Sequence, residues 1–124
     1  MVKHELLAPV GDFRNLHAAI TAGADAVYFG IKGFNMRATA KNFDIKALPK
    51  IRKIWNESPR KVKIYLTLNV VVYDEELKTL EKIVKKAKGK VDAIVCWDLS
   101  VIELCRRYDI PFHVSTQASI SNIA

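Results

Sequence analysis

The sequence predicts a parallel α/β fold with about five strands and four helices. Strand-like and helix-like segments alternate strictly along the 124 residues, which is typical of parallel strands joined by right-handed crossovers. Two architectures fit this pattern: an open, doubly wound sheet and the first half of an eight-stranded barrel. A polar face at the C-terminal ends of two strands, and a chain that stops where a fifth helix would start, favour the half-barrel.

Five short segments rich in apolar and β-branched residues predict the strands. These segments are residues 5–8, 26–29, 62–71, 91–96 and 112–116. Pro9 and Gly11 close the first segment and Gly30 closes the second, because neither residue type continues a central strand well. We expect residues 1–124 to form one truncated (β/α) barrel domain with a single core.

Segments with apolar residues at three- and four-residue spacing predict a helix after each of the first four strands. The expected N-caps are Asp12, Asp44, Asp74 and Asp98, and the expected end signals are Gly23, Ser58–Pro59 and Gly89. The third helix is expected to bury Leu77, Leu80, Val84 and Ala87, and the fourth Val101, Ile102, Leu104 and Cys105. Ser121 is expected to cap a fifth helix.

One face of two predicted strands becomes polar toward the C-terminal end. Because side chains alternate along a strand, every second residue shares a face. The polar sets are Tyr65, Thr67 and Asn69 in the third strand and His113, Ser115 and Gln117 in the fifth. A strand covered by helices on both faces would be apolar on both. The pattern therefore favours a barrel interior that opens into a polar site.

The composition is that of an ordinary globular domain, with 50% hydrophobic and 27% charged residues. No apolar run reaches the roughly 20 residues of a membrane-spanning helix, and the N-terminus lacks the apolar stretch of a signal peptide. We therefore expect a cytoplasmic protein without a membrane partner. Cys96 and Cys105 match no zinc or redox spacing and are expected to be buried core residues.

The net charge of +7 is concentrated between Lys32 and Lys63. That segment holds ten lysines and arginines against Asp44 and Glu57, a local net charge of +8. A basic surface can bind nucleic-acid phosphates by releasing counterions. A solvated lysine-rich surface explains the same charge without any ligand, and the sequence leaves both interpretations open.

Six motifs follow one another along the chain: ELLAPVGDF (5–13), AGADAVYFG (22–30), RATAKNF (37–43), YLTLN (65–69), DAIV (92–95) and HVSTQA (113–118). Together with Asn122 they resemble the U32 family of collagenase-like peptidases. The resemblance implies the N-terminal part of a TIM-barrel-like domain and, from the family's name, a protease that hydrolyses peptide bonds. As an alternative, the resemblance implies hydroxylation of transfer RNA, ribosomal RNA or a ubiquinone precursor, because other family members act in those reactions.

Several of those hydroxylation enzymes hold an iron–sulfur cluster with four cysteines. The family's cysteine-bearing signature lies downstream of the matched motifs, so the resemblance places the cluster ligands of a full-length relative beyond residue 124. No cofactor is therefore expected within this segment.

Parallel α/β folds bind ligands beyond the C-terminal ends of their strands. The candidate catalytic residues there are Asn69, Asp98, Ser115 and Gln117, and the candidate substrate-binding residues are Asp12, Arg37 and Asn42. N-capping alone would explain Asp12 and Asp98, whereas Arg37 could hold a carboxylate or phosphate through two hydrogen bonds. His113 is interpreted as a hydrogen-bonded core residue. The scattered histidines form no metal-binding pair, so no metal site is expected.

Three functions are compatible with these observations. The first is the N-terminal segment of a U32 enzyme with a peptide or RNA substrate. The second is a non-catalytic half-barrel whose exposed sheet edges bind a second copy of the chain, or which binds a ligand without converting it. The third is a nucleic-acid-binding module on an unrelated open sheet, whose affinity would fall steeply with salt.

Overall fold

The computed structural model describes residues 3–34 and 42–123. Its strands β1 to β5 are Leu7–Pro9, Ala26–Gly30, Lys63–Leu68, Ala93–Cys96 and Phe112–Val114. Its helices α1 to α4 are Phe13–Thr21, Leu48–Glu57, Leu77–Ala87 and Leu99–Arg107. Three short 3₁₀ turns cover Ile45–Ala47, Asp74–Glu76 and Thr116–Ala118. The predicted alternation of strands and helices is confirmed.

The five strands form one sheet in the order β1-β2-β3-β4-β5, and every neighbouring pair is parallel. With consecutive strand order, right-handed crossovers place every helix on the same side of the sheet. A doubly wound sheet would instead reverse its strand order and carry helices on both sides. The arrangement is therefore that of a half-barrel, which confirms the architecture that the sequence favoured.

The core lies between the helices and one face of the sheet. Leu66, at the centre of β3, is fully buried and pairs with Phe29 in β2 and Ile94 in β4. The same apolar cluster contains buried residues of all four helices, which include Leu16, Leu48, Leu80 and Val101. Burial of these side chains on one sheet face is the main stabilising contribution to the fold.

The opposite, concave side of the sheet is the inner face, formed by every second strand residue. Ala26, Tyr65 and Ala93 are buried there, and Tyr28 and Val95 pack against them. Thr67 follows on β3 and is also buried. No helix residue belongs to this cluster, so the inner face is the side that the helices leave open.

Carboxylates at the N-terminal ends of the strands tie the sheet together. Asp25, just before β2, accepts a hydrogen bond from the Leu6 amide at 2.9 Å and forms an ion pair with Arg60 at 3.1 Å. The Leu6 hydrogen bond lowers the pKa of Asp25 more than its burial raises it. Asp92, just before β4, accepts from the Ile64 amide at 2.7 Å. These contacts connect neighbouring chain segments at the N-terminal edge of the sheet and so stabilise the fold there.

The Glu5 carboxylate completes that N-terminal edge. It accepts a hydrogen bond from the Lys63 ammonium group at 2.9 Å and another from the Tyr65 hydroxyl at 2.8 Å. Both bonds lower the pKa of Glu5, that from Lys63 the more strongly. The inner face is therefore closed by polar contacts at its N-terminal end.

Several predicted details are corrected by the structure. Asp44 and Asp74 do not cap α-helices directly, because a 3₁₀ turn stands before α2 and before α3. Asp44 caps its turn by accepting from the Lys46 amide at 2.9 Å, whereas at α3 Glu76 accepts from the Tyr73 amide at 2.9 Å. β1 is shifted by one or two residues and β2 is one residue longer than predicted, whereas β3, β4 and β5 are shorter because only part of each apolar run pairs with a neighbour.

Burial of the helix stripes is confirmed with two exceptions. Leu77, at the start of α3, is exposed, and Ile83 takes its place in the core. Ile102 in α4 is only partly buried. No helix begins at Ser121 within the described residues, which run to Ile123.

Two features bear on the surroundings of the chain. Within residues 3–34 and 42–123, no helix combines the length and the apolarity needed to cross a membrane. β1 and β5 each pair with a single neighbour in the sheet, so both are edge strands. Self-association through these edges stays a prediction.

Candidate functional site

Because all five strands are parallel, the segments that follow them meet at one edge of the sheet. We call these segments the strand-end rim; they are residues 10–12, 31–34, 69–72, 97–98 and 115–118. In parallel α/β proteins, ligands bind outside this edge. Six of the seven predicted site residues lie in the rim or beside it, and Arg37 lies outside the described residues.

Two hydrogen bonds connect the rim segments that follow β3 and β4. The indole N–H of Trp97 donates to the Asn69 carbonyl oxygen at 3.2 Å. The Val72 amide donates to Asp98 Oδ2 at 3.0 Å. These bonds link positions 28 and 26 residues apart, so they fix the relative position of two loops that the sequence does not connect locally.

Asp98 is held by hydrogen bonds on both carboxylate oxygens. Its Oδ1 accepts from the Ser100 amide at 2.9 Å and from the Ser100 hydroxyl at 2.6 Å, which is N-capping of α4. Burial raises the pKa of Asp98, but the bonds from Ser100 and Val72 together outweigh burial and lower it. A carboxylate with a lowered pKa is a weak proton acceptor, so Asp98 is suited to organising the rim and not to general-base catalysis.

Asn69 follows β3 on the inner-face side, in phase with Tyr65 and Thr67. Its side-chain oxygen is buried and has no hydrogen-bond partner within the part of the chain that the structure describes. Buried polar atoms in proteins are rarely left in this state. Asn69 therefore keeps unused hydrogen-bonding capacity next to the ring of Trp97.

Ser115 and Gln117 form the part of the rim that follows β5. The Ser115 amide donates to the Cys96 carbonyl at 2.7 Å, which attaches this segment to the end of β4. The Ser115 hydroxyl donates to the Gln117 side-chain oxygen at 3.2 Å. The Ser115 hydroxyl is thus engaged by an amide and not by an imidazole, and the described contacts contain no Ser–His–Asp arrangement.

His113 is not a core residue, and that prediction is wrong. Its side chain is exposed, because β5 is an edge strand with nothing packed beyond it. It meets the ring of Tyr65 edge-on, with ring centroids 5.0 Å apart. His113 therefore belongs to the open inner face.

Asp12 and Asn42 lie on the β1 and β2 side of the rim. Asp12 caps α1 by accepting from the Asn15 amide at 2.8 Å, as predicted. Asn42 is half-buried and precedes Phe43 in the chain. The Phe43 carbonyl accepts a hydrogen bond at 3.1 Å from the amide of Lys32, which lies directly after β2. Both residues are close to the chain segments that leave β1 and β2, whereas Asn69, Asp98, Ser115 and Gln117 gather around β3 to β5.

Sequence reasoning missed Trp97 and Lys32. Trp97 is partly exposed and stands two residues after Val95 on the inner-face side of β4. The same alternation that singled out Asn69 also points to Trp97, but an aromatic residue after a strand looks like core. Lys32 was counted only as part of the basic segment, although its position directly after β2 places it on the rim.

The two cysteines are hydrogen-bonded to each other in the core. Both are buried and free, as predicted, with Cys96 in β4 and Cys105 in α4. The hydrogen bond with Cys105 and burial raise the pKa of Cys96, which disfavours the thiolate that a metal needs. Within the described residues, no group of three or more His, Cys, Asp or Glu side chains could hold a metal ion.

Comparison with known proteins gives one family and two kinds of relative. The sequence model of peptidase family U32 matches residues 11–124. A collagenase of Porphyromonas gingivalis is 43% identical over 95% of this chain and 28% of its own length. The tRNA hydroxylation protein P1 of Bacillus subtilis is 37% identical over 97% of this chain and 29% of its own.

A third relative acts on ribosomal RNA. The 23S rRNA 5-hydroxycytidine C2501 synthase of Escherichia coli is 36% identical over 96% of this chain and 18% of its own length. The chain thus spans less than a third of the length of these relatives. No solved structure matches the chain at a significant level.

Proposed function

The chain belongs to peptidase family U32, and from this membership we propose that it is part of an enzyme that acts on RNA and presents the RNA to the strand-end rim. The relatives named for tRNA hydroxylation and for rRNA hydroxycytidine synthesis support RNA as the substrate. Peptide substrates are supported by the collagenase relative. The distribution of charge favours RNA.

The observation that carries this proposal is the uneven pairing of the basic segment. At the N-terminal edge of the sheet its cations meet carboxylates: Arg60 pairs with Asp25 at 3.1 Å and Lys63 with Glu5 at 2.9 Å. Arg52 approaches Asp92 to 3.8 Å. These three cations are therefore paired at the structural edge of the half-barrel, whereas Lys61, also before β3, is exposed and forms no ion pair with a described residue.

At the opposite edge, two lysines of the basic segment within the described residues lack such partners. Lys32 on the rim and Lys46 before α2 are exposed, and neither forms an ion pair with a described residue. Lys50, in the first turn of α2, lies over the ring of Phe13 at 4.3 Å. Unpaired lysines beside a ligand-binding edge attract a polyanion, and each phosphate bound releases counterions.

The rim residues then have distinct roles in binding. Trp97 offers a partly exposed aromatic ring of the kind on which single-stranded RNA bases stack. Asn69 is partly exposed beside that ring, to which its backbone carbonyl is hydrogen-bonded. Asp98 stays ionised and holds the two loops together. None of these residues needs to change protonation to bind RNA.

Binding of the chain to RNA and to peptide separates the two substrate classes. We expect a transfer-RNA transcript to bind to the chain, as measured by fluorescence anisotropy. Its affinity should fall about a hundredfold between about 50 and about 200 mM salt, which corresponds to the loss expected for roughly five phosphate contacts. A labelled gelatin peptide serves as the competing ligand. Peptide binding without RNA binding would contradict the proposal.

That contrary outcome would support peptide hydrolysis, the second candidate function. Its specific support is the 43% identity to the collagenase. Within residues 3–34 and 42–123, however, the contacts contain neither a Ser–His–Asp arrangement nor a metal-binding group.

A further inference from the structure

A cleft of about 250 Å³ lies on the helix side of the half-barrel, next to the rim but separate from the inner face. The segment that follows β2 forms one wall, and α3 forms the other. Its apolar lining comes from Ile31, Phe34 and Ile83, and its basic lining comes from Lys32, Lys82 and Lys86. The cleft thus combines an apolar floor with three cations.

The three lysines have no carboxylate partner among the described residues. Asp44 is the single acidic residue in the lining; its Oδ1 accepts from the Lys46 amide at 2.9 Å, and its negative charge leaves the three lysines in excess. Local pairing within α3 happens elsewhere, because Lys85 lies 3.7 Å from Glu81. The positive charge of the cleft is therefore available to a ligand.

Two of these three lysines, Lys82 and Lys86, lie on α3, where they lower the stability of that helix. Lys78, Lys82 and Lys86 are spaced four residues apart, so they form one row along the helix, about 6 Å between neighbours. Like charges at this spacing destabilise a helix by roughly 0.2–0.5 kcal/mol per pair. Lys82 and Lys86, the two members of the row that line the cleft, are placed where a bound anion would offset their repulsion.

We propose that this cleft holds a phosphate and ribose of the RNA backbone, so that the RNA runs from the strand-end rim past Lys32 onto α3. The inference rests on the proposed function, since it assumes an RNA substrate. The lysines neutralise backbone phosphates, and the apolar floor accommodates the sugar. The surface contacts the backbone and not the bases, so it fixes the position of the RNA without reading its sequence.

The test compares two triple variants of the chain in RNA binding by fluorescence anisotropy. The cleft variant carries Lys32→Gln, Lys82→Gln and Lys86→Gln. The control variant carries Lys53→Gln, Lys61→Gln and Arg106→Gln, which remove the same charge at exposed positions outside the cleft. Glutamine and lysine have similar helix propensities, so both variants are expected to fold like the wild type.

We expect the cleft variant to lower RNA affinity about tenfold or more at about 100 mM salt and to reduce the slope of log affinity against log salt by about 2, the value for three lost contacts. We expect the RNA affinity of the control variant to fall by less than about threefold. Equal losses in both variants, or none in the cleft variant, overturn the cleft assignment while RNA binding by the wild type still supports the proposed function. Absence of RNA binding by the wild type overturns both.

Free phosphate separates a polynucleotide site from a site for a small anion. We expect millimolar inorganic phosphate, added at constant ionic strength, to leave RNA binding unchanged, because one phosphate gains none of the neighbouring contacts of a chain. Displacement of RNA from the wild type but not from the cleft variant would assign the cleft to a small phosphate ligand and overturn the proposal.

Discussion

Replacing Leu66 with alanine is expected to lower the free energy of unfolding by about 2–5 kcal/mol, the range for deleting a buried leucine side chain from a packed core. Leu66 has 0% of its surface exposed and stands in the central strand, between Phe29 and Ile94. A void at this point is lined by residues of three strands that cannot all relax toward it. The measurement is equilibrium urea unfolding followed by circular dichroism.

Leu99→Ala is the matched control for that measurement. Leu99 begins α4 and is 79% exposed, so the same chemical change should alter stability by less than about 0.5 kcal/mol. Equal destabilisation by the two variants would contradict the assignment of the helix-covered face as the core.

Asp98→Ala is expected to destabilise the fold by about 2–4 kcal/mol, because it combines the loss of an N-cap with an unsatisfied amide at Val72. The Asp98 carboxylate accepts at 2.9 Å from the Ser100 amide and at 3.0 Å from the Val72 amide. The matched control is Asp74→Ala, an exposed acidic residue at the start of a 3₁₀ turn. We expect Asp74→Ala to lower the free energy of unfolding by less than about 1 kcal/mol, the contribution of a charge near a helix N-terminus.

The contribution of Asp98 depends on pH in a defined direction. Its pKa is lowered in the folded state, so the stabilisation is complete above the unfolded-state pKa of about 3.9 and is lost as pH falls through the lower folded value. We expect the difference between wild type and Asp98→Ala to be constant near neutral pH and to shrink below about pH 4. A difference that grows on acidification would show that Asp98 is not held as a carboxylate.

Local patterns were sufficient to predict the order and type of the elements. Apolar spacing identified each helix, and the alternation in β3 placed Asn69 on the same face as Tyr65 and Thr67. The boundaries were less predictable, because strand length depends on pairing with a neighbour. The 3₁₀ turns before α2 and α3 also depend on backbone geometry that residue type does not fix.

The choice between an open sheet and a half-barrel required long-range information. Both have the same local alternation, and they differ in strand order and in the side on which the helices pack. His113 illustrates the same limit. Its position in the strand was foreseen, but its exposure follows from β5 being an edge of the sheet.

The sequence predicted that the candidate residues follow the strands, but it did not predict the contacts that each residue makes. Asp98 was expected at the strand ends, yet its bond to the Val72 amide spans 26 residues and could not be inferred from spacing. The pairing of Lys63 with Glu5 and of Arg60 with Asp25 is likewise non-local. These long-range pairs show that cations of the basic segment contact carboxylates at the N-terminal edge of the sheet, and residue spacing does not predict such contacts.

We propose that RNA binds the half-barrel at the C-terminal ends of its strands. The most direct measurement is a titration of the isotope-labelled chain with a transfer-RNA hairpin, followed through backbone amide resonances. We predict the largest shifts at Asn69 and Trp97 and no shift at Asp25 and Asp92, which lie at the opposite edge. Shifts confined to Asp25 and Asp92, with the resonances of Asn69 and Trp97 unmoved, would contradict the account.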